Sequence, residues 1–171
     1  LLSAHYRVPV EFETLKHEDG RVAFPGLDEA ERRVDYLYAT SERLAELAAQ
    51  DVPAAESKEL DALAKVILGA RKRVSDALDE DLNAPVALAV VNDLAKAAND
   101  LADLAQKRRK DQKLLGAAVA LAKQARLAFA GCTDVIGLLQ SEPAAYRERS
   151  QAKRLAVRGL SRETIERTLQ D

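Results

Sequence analysis

Four groups of side chains in this 171-residue chain have the chemistry for binding or catalysis. The densest is cationic: Lys107, Arg108, Arg109 and Lys110 are consecutive, and Lys113 follows. A phosphate contact needs only positive charge within reach, so this run could hold a nucleic-acid backbone. A solvated helix C-terminus, where the helix dipole favours cations, accounts for four of these residues equally well. Asp79-Glu80-Asp81 sets three acids in a row. No second ligand cluster accompanies them, and acids ahead of a helix start are favoured by the dipole alone. His17-Glu18-Asp19 reads as a charged turn in preference to a weak cation site. Cys132 falls on an apolar stripe and reads as a buried, inert thiol with no histidine beside it in sequence. His5 and His17 are the only histidines, and neither has a partner at metal-ligand spacing. No G-x-G-x-x-G, P-loop or G-x-S-x-G motif occurs. The expectation is a chain with no catalytic, cofactor-binding or metal residues of its own.

The elements that would carry these groups are helical. Residues 1–26 are irregular, with Pro9 biasing Val8 away from helix, turn chemistry at His17-Glu18-Asp19-Gly20, and Pro25-Gly26 closing the segment. A first helix is expected from an Asp28 cap to about Gln50, with Val34, Leu37, Ser41, Leu44 and Ala48 on one face. A second begins at Ser57 and carries Leu60, Leu63, Ile67, Ala70, Val74 and Leu78. Asn83 caps a third, Pro85 sits in its first turn, and Ala87, Val90, Leu94, Ala97, Leu101 and Leu104 form its stripe. Asp111 caps a fourth, whose stripe runs Leu115, Ala118, Ala122, Ala125, Phe129, Cys132, Ile136, Leu139. After Ser141-Glu142-Pro143 come a short basic segment, a break at Gly159, and a final helix opened by Ser161 with Ile165 and Leu169 on one face. The fold class expected is all-α: an antiparallel four-helix bundle with an irregular N-terminal segment and a short C-terminal helix. The domain reading is 1–26 as a tail, 27–140 as the bundle, and 141–171 as a linker and the start of a further helix.

Composition supports this. Of the residues, 32 are Ala and 25 are Leu, the strongest helix formers, against 7 Gly, 5 Pro and no Trp, so an all-β fold is disfavoured. A hydrophobic share of 47% can fill a core, which excludes disorder. One Cys excludes a disulfide framework or Cys-rich zinc module. No uninterrupted apolar run approaches the ~18 residues of a membrane span. Charge is uneven: residues 1–106 hold 12 basic and 21 acidic side chains, net −9, and residues 107–171 hold 14 and 7, net +7. That asymmetry marks either a polyanion-facing end or, on charge alone the simpler reading, a dipolar bundle with solvated faces. The chain lacks Met and opens on Leu1-Leu2, so it reads as a piece of something longer.

Three stretches carry a resemblance. Residues 1–12, LLSAHYRVPVEF, are similar to the "LLSxHYRxPLxF" segment of bacterial cysteinyl-tRNA synthetases. Residues 77–87, ALDEDLNAPVA, resemble that family's "A(M/L)DDDLNTPxA" signature, with Ala84 where the family has Thr. Residues 137–143, GLLQSEP, resemble "LGLLQ..P", which closes the family's helical bundle of the DALR type, an anticodon-binding-like fold of class I synthetases. The resemblance covers nearly the whole chain in the family's order, with a longer insertion around Lys16 to Phe24.

It implies a parent enzyme that activates cysteine with ATP and esterifies its tRNA, using Mg and Zn. The HIGH and KMSKS motifs and the zinc ligands belong upstream of Leu1, and the anticodon module belongs downstream of Asp171. The segment then corresponds to a stem-contact-like tail plus the bundle, inactive alone, cytoplasmic and monomeric, with tRNA as partner and neither membrane nor DNA. Its expected tRNA backbone contacts are Arg7, Lys107, Arg108, Arg109, Lys110 and Lys113. Two alternatives stand beside it: the bundle of the related cysteine ligase of mycothiol synthesis, and a free-standing helical protein-interaction module.

Overall fold

The computed structural model describes residues 7, 13–18, 20, 22–160 and 167. The expected extended piece at Val8 to Phe12 and the helix opening at Ser161 lie outside the described residues, apart from Arg167. Within the N-terminal segment the turn chemistry closes a small hairpin: β1 (Leu15–Lys16) pairs antiparallel with β2 (Val22–Ala23), Leu15 opposite Ala23 and Lys16 opposite Val22. The Gly20 N–H donates to the His17 carbonyl at 3.0 Å, and Gly20 takes φ 81°, a conformation only glycine adopts without strain.

Four helices follow: α1 (Pro25–Ala48), α2 (Asp61–Asp79), α3 (Ala84–Lys107) and α4 (Gln112–Val135). The two caps read from sequence are made. Asn83 accepts from the Val86 N–H at 3.3 Å, and Asp111 accepts from the Leu114 N–H at 3.0 Å. Two starts differ from expectation. Helix α1 begins at Pro25 instead of Asp28, because proline's missing N–H is harmless at the first helical position and the Phe24 carbonyl accepts from Leu27 and Asp28. Ser57 gives no side-chain cap; a single 3₁₀ turn (Lys58–Leu60) leads into α2. Helix α4 stops at Val135, short of the expected Leu139. Gly137 turns left-handed at φ 70°, and the Leu138 N–H returns to the Thr133 carbonyl at 2.8 Å, the glycine-based stop of a Schellman-type end.

The all-α bundle is present. Arg43 and Thr40 of α1 meet Asn99 of α3, and Arg43 also meets Asp103, so α1 runs parallel to α3 while α2 and α4 run opposite. Helices α3 and α4 pack on each other and on both α1 and α2, which occupy opposite corners. Alanines make this central pair possible: Ala87, Ala95 and Ala98 of α3 and Ala118, Ala122 and Ala125 of α4 are at most 1% exposed. Leu37, Leu44, Ile67, Leu94, Leu101 and Val119 fill the space between, each worth about 1.5–3 kcal/mol when fully buried. Because α1 and α2 are diagonal, the chain between them must cross the bundle end. It does so over α4, at Gly116, where a Cβ would lie 2.1 Å from the Pro53 carbonyl oxygen.

Helix α4 is long and apolar enough to cross a membrane by length and composition, although Lys123 and Arg126 interrupt it. Of its most apolar window, 56% is buried inside the bundle, the condition of a core helix in contact with three neighbours.

The chain divides into two compact units, Leu1–Leu138 and Leu139–Asp171. In the second, residues read from sequence as a basic connecting segment form α5 (Pro143–Val157). Pro143 opens this helix at its first position where sequence reasoning took it as a stop.

Candidate nucleic-acid interface

The cationic run occupies the turn that joins α3 to α4. Lys107 ends α3, and Arg108 caps it through an N–H to Leu104 O bond of 2.9 Å. The Asp111 N–H then returns to the Arg108 carbonyl at 2.8 Å, making a tight turn. Within it the cations divide into two kinds. Arg108 is a brace: its Nη2 donates to Asp111 Oδ2 at 2.9 Å and its Nη1 to Glu59 Oε2 at 3.5 Å, tying the 3₁₀ turn to the start of α4. The side chains of Arg109, Lys110 and Lys113 are exposed and make no hydrogen bond or ion pair among the described residues. Lys107 is exposed too, and its charge acts on Asp103.

Electrostatics fix this end. The Leu114 backbone N–H and then the Arg108 guanidinium hold the Asp111 carboxyl below the usual carboxylate range. Asp103 is held down likewise, first by the hydrogen bond and charge of Arg43 and to a lesser degree by Lys107. The carboxylates here are therefore charged at neutral pH and locked in place, leaving Arg109, Lys110 and Lys113 as the cations open to an outside anion.

Arg7 sits elsewhere. Its Nη2 donates to Asp81 Oδ1 at 2.9 Å in the turn between α2 and α3, with side chains 65% and 45% exposed. That turn lies at the other end of α3, 24 residues or about 36 Å away along the axis. The expected contact residues thus fall into two sites on the bundle, one at each end. In the same turn Asp81 and Leu82 both take positive φ, 57° and 51°, and Leu82 is 63% exposed. The Asn83 N–H reaches back to the Ala77 carbonyl at 3.0 Å, and Asn83 caps α3; of the three acids, Asp79 accepts from the Ser75 hydroxyl at 3.5 Å and Asp81 from Arg7.

Other candidate groups stay apart from this end. Cys132 is 1% exposed on α4, and burial pushes its thiol pKa up while Arg71 opposes the shift, so the nucleophilic thiolate is disfavoured. Among the described residues no grouping of three or more His, Cys, Asp or Glu could hold a metal ion.

Two features escaped sequence reasoning. A polar network crosses the α1–α3 interface: the Thr40 hydroxyl donates to Tyr36 O at 2.8 Å and accepts from Asn99 Nδ2 at 2.7 Å, and Asn99 Oδ1 accepts from Arg43 at 2.6 Å. Asn99 and Asp103, four apart on α3, were the available signal. The second is a groove of about 1000 Å³ beside the cationic turn, floored by Leu60, Ala64, Leu114 and Ala117 and flanked by Lys58 and Lys113. It exists only because the crossover meets α4, which no local pattern encodes.

Residues 73–140 match the DALR domain. The chain is 34% identical to the cysteine–tRNA ligase of Anaeromyxobacter sp. (strain Fw109-5) over 96% of this chain and 29% of that protein. It is 35% identical to that of Xanthomonas campestris pv. campestris over 85% of this chain and 23% of that protein. It is 29% identical to that of Geobacter metallireducens over 99% of this chain and 31% of that protein. The chain therefore spans less than a third of the length of these relatives, and no solved structure matches it. Residues 73–140 thus resemble the DALR domain, and nearly all of the chain is similar to a part of bacterial cysteine–tRNA ligases.

Proposed function

We propose that this chain is the tRNA-binding helical strut of a cysteine–tRNA ligase and has no aminoacylation activity by itself. One observation carries the reading: Arg109, Lys110 and Lys113 project from the end of a rigid, alanine-packed bundle without partners among the described residues. Cations held on a stiff scaffold contact a phosphate backbone by charge and shape, without reading base edges. Arg108 then belongs to the scaffold, and Arg7 to a second contact near the opposite turn. The parent activity is ATP-dependent attachment of cysteine to its tRNA, in the cytoplasm. The ATP, Mg and Zn it requires are held by parts of the parent outside this chain. The chain acts as a monomer with tRNA as its partner, and engages neither DNA nor membrane.

Filter binding of tRNA across a salt series tests this. Weak binding that falls as salt rises is expected, since each neutralised phosphate releases counterions. Tight binding independent of salt overturns the proposal, and so does aminoacylation by the chain alone.

A further inference from the structure

Beside the cationic turn, the crossover, α2 and α4 enclose a groove of about 1000 Å³. It forms because the crossover passes over α4 at Gly116, with Pro53 and Ala55 close against that residue, before the 3₁₀ turn (Lys58–Leu60) leads into α2. Ala64 of α2 and Ala117 of α4 are short and keep the trough open. Leu60, Leu114 and Leu121 are buried in its lining, and Leu68 stands 60% exposed at its side. Small-molecule sites span roughly 300–1,000 Å³, with mostly apolar walls and a few polar groups, and this groove has both the size and the lining.

The charges around it are of two kinds. Glu59 and Asp111 are held by the Arg108 guanidinium, at 3.5 and 2.9 Å, and stiffen the wall. The side chains of Glu56, Lys58, Asp61 and Lys113 also line the groove, are exposed, and make no hydrogen bond or ion pair among the described residues. Asp61 stands at the start of α2, where the dipole alone favours an acid, but Glu56 lies in the crossover, outside any helix. An ammonium group calls for an anion, and a carboxylate accepts from N–H donors. A ligand that meets both carries an anion and N–H groups on an apolar, flat body. A nucleotide has that composition: a phosphate, a base edge with N–H donors, and a base face that sheds water. Arg109 and Lys110 adjoin Lys113 in the turn and extend the cations available to a phosphate chain leading to the groove.

We infer that the groove takes an unpaired nucleotide of the bound RNA, its base face on the leucine–alanine floor, its edge N–H groups on Glu56 and Asp61, and its phosphate on Lys58 and Lys113. This inference rests on the tRNA reading above and adds a base contact to it. The turn cations hold backbone whether or not the RNA is paired, whereas the groove needs a base freed from its partner, because a duplex keeps its Watson–Crick edges occupied. The amino groups of adenine and cytosine each offer a carboxylate an N–H pair, and uracil has no amino group, so the groove favours the amino-bearing bases.

The test measures, by fluorescence anisotropy at one KCl concentration, the affinity of the full chain for tRNA, for adenosine, cytidine and uridine hexamers and for a short RNA duplex. Wild type is compared with E56A/D61A and with A64L, which fills the floor; circular dichroism checks that helix content is kept, alanine and leucine being good helix formers. The E56A/D61A variant is expected to lose about tenfold in affinity for the adenosine and cytidine hexamers, the weight of one hydrogen bond to a charged group. Its affinity for the duplex should hold or rise, since two negative charges near the phosphates are gone. A64L should weaken hexamer binding and leave the duplex unchanged. If E56A/D61A binds the hexamers as well as wild type or better, the carboxylates only repel RNA and the inference fails alone. It also fails alone if wild type binds tRNA and duplex but no hexamer, or binds uridine and adenosine hexamers equally. Absence of wild-type binding to every RNA overturns the tRNA reading with it. Free adenosine monophosphate binding as tightly as the adenosine hexamer assigns the groove to a free nucleotide and overturns the RNA assignment.

Discussion

Gly116 is where the topology of the bundle can be tested with one methyl group. The crossover from α1 to α2 passes over α4 at this residue. A Cβ added there lies 2.1 Å from the Pro53 carbonyl oxygen, 3.3 Å from its carbon and 3.4 Å from the Ala55 Cβ. Ordinary contact begins near 3.5 Å, so the crossover backbone must retreat by about 1.4 Å in Gly116→Ala. Overpacking of this kind costs about 1–3 kcal/mol, and alanine returns about 0.5–1 kcal/mol of helix propensity. The net is a loss of about 1–2 kcal/mol, or about 2–8 °C in Tm for a chain of this size. Gly69 in α2 is the internal control, because a Cβ there meets nothing within 4 Å. Gly69→Ala should therefore raise Tm by about 1–4 °C, through helix propensity alone. Thermal unfolding followed at 222 nm reads both. If Gly116→Ala is neutral or stabilising, the crossover does not pack on α4 and the diagonal placement of α1 and α2 is wrong.

Two further outcomes follow from the polar groups. Asn99→Ala strips the buried Thr40 hydroxyl of its donor and Arg43 of an acceptor, so urea unfolding should show a loss of about 1–3 kcal/mol; an unchanged midpoint would mean that the network contributes nothing to joining α1 and α3. Asp103 and Asp111 have lowered pKa values in the fold, so the stability they contribute is present above the unfolded carboxylate value of about 3.9. It is lost as pH falls through their lower folded values. Asp111→Asn, which keeps a capping oxygen, should narrow the drop in Tm between neutral pH and pH 3, and an identical drop in the variant would contradict the assignment.

The helices were legible because their signals are local. Asn83 and Asp111 cap where the sequence places them, since a cap depends on a side chain and a backbone N–H three residues away. Proline was misread twice, at Pro25 and Pro143, because the same residue that cannot continue a helix is well suited to begin one. The apolar stripes were right but too narrow on the inner helices. Val91, Ala95, Ala98 and Ala105 of α3, and Leu114, Ala117, Val119, Leu121 and Ala128 of α4, are buried beyond the single face that periodicity predicts. A one-stripe reading assumes one packed side, and α3 and α4 have three neighbours each.

The cationic run was visible as a run, but its division of labour was not. Arg108 and Arg109 are adjacent and chemically identical, yet Arg108 pairs with Asp111, three residues on, and with Glu59, 49 residues earlier, and Arg109 pairs with neither. Likewise nothing in residues 1–12 or 77–87 says that Arg7 meets Asp81, 74 positions on. Composition, caps and 3.6-residue periodicity settled the helical class and the helix order, because each acts within a few residues along the chain. The diagonal crossing at Gly116, the separation of Arg7 from the α3–α4 turn, and the choice of which cations remain open were decided by tertiary contacts, because those depend on which distant atoms the packed helices bring together.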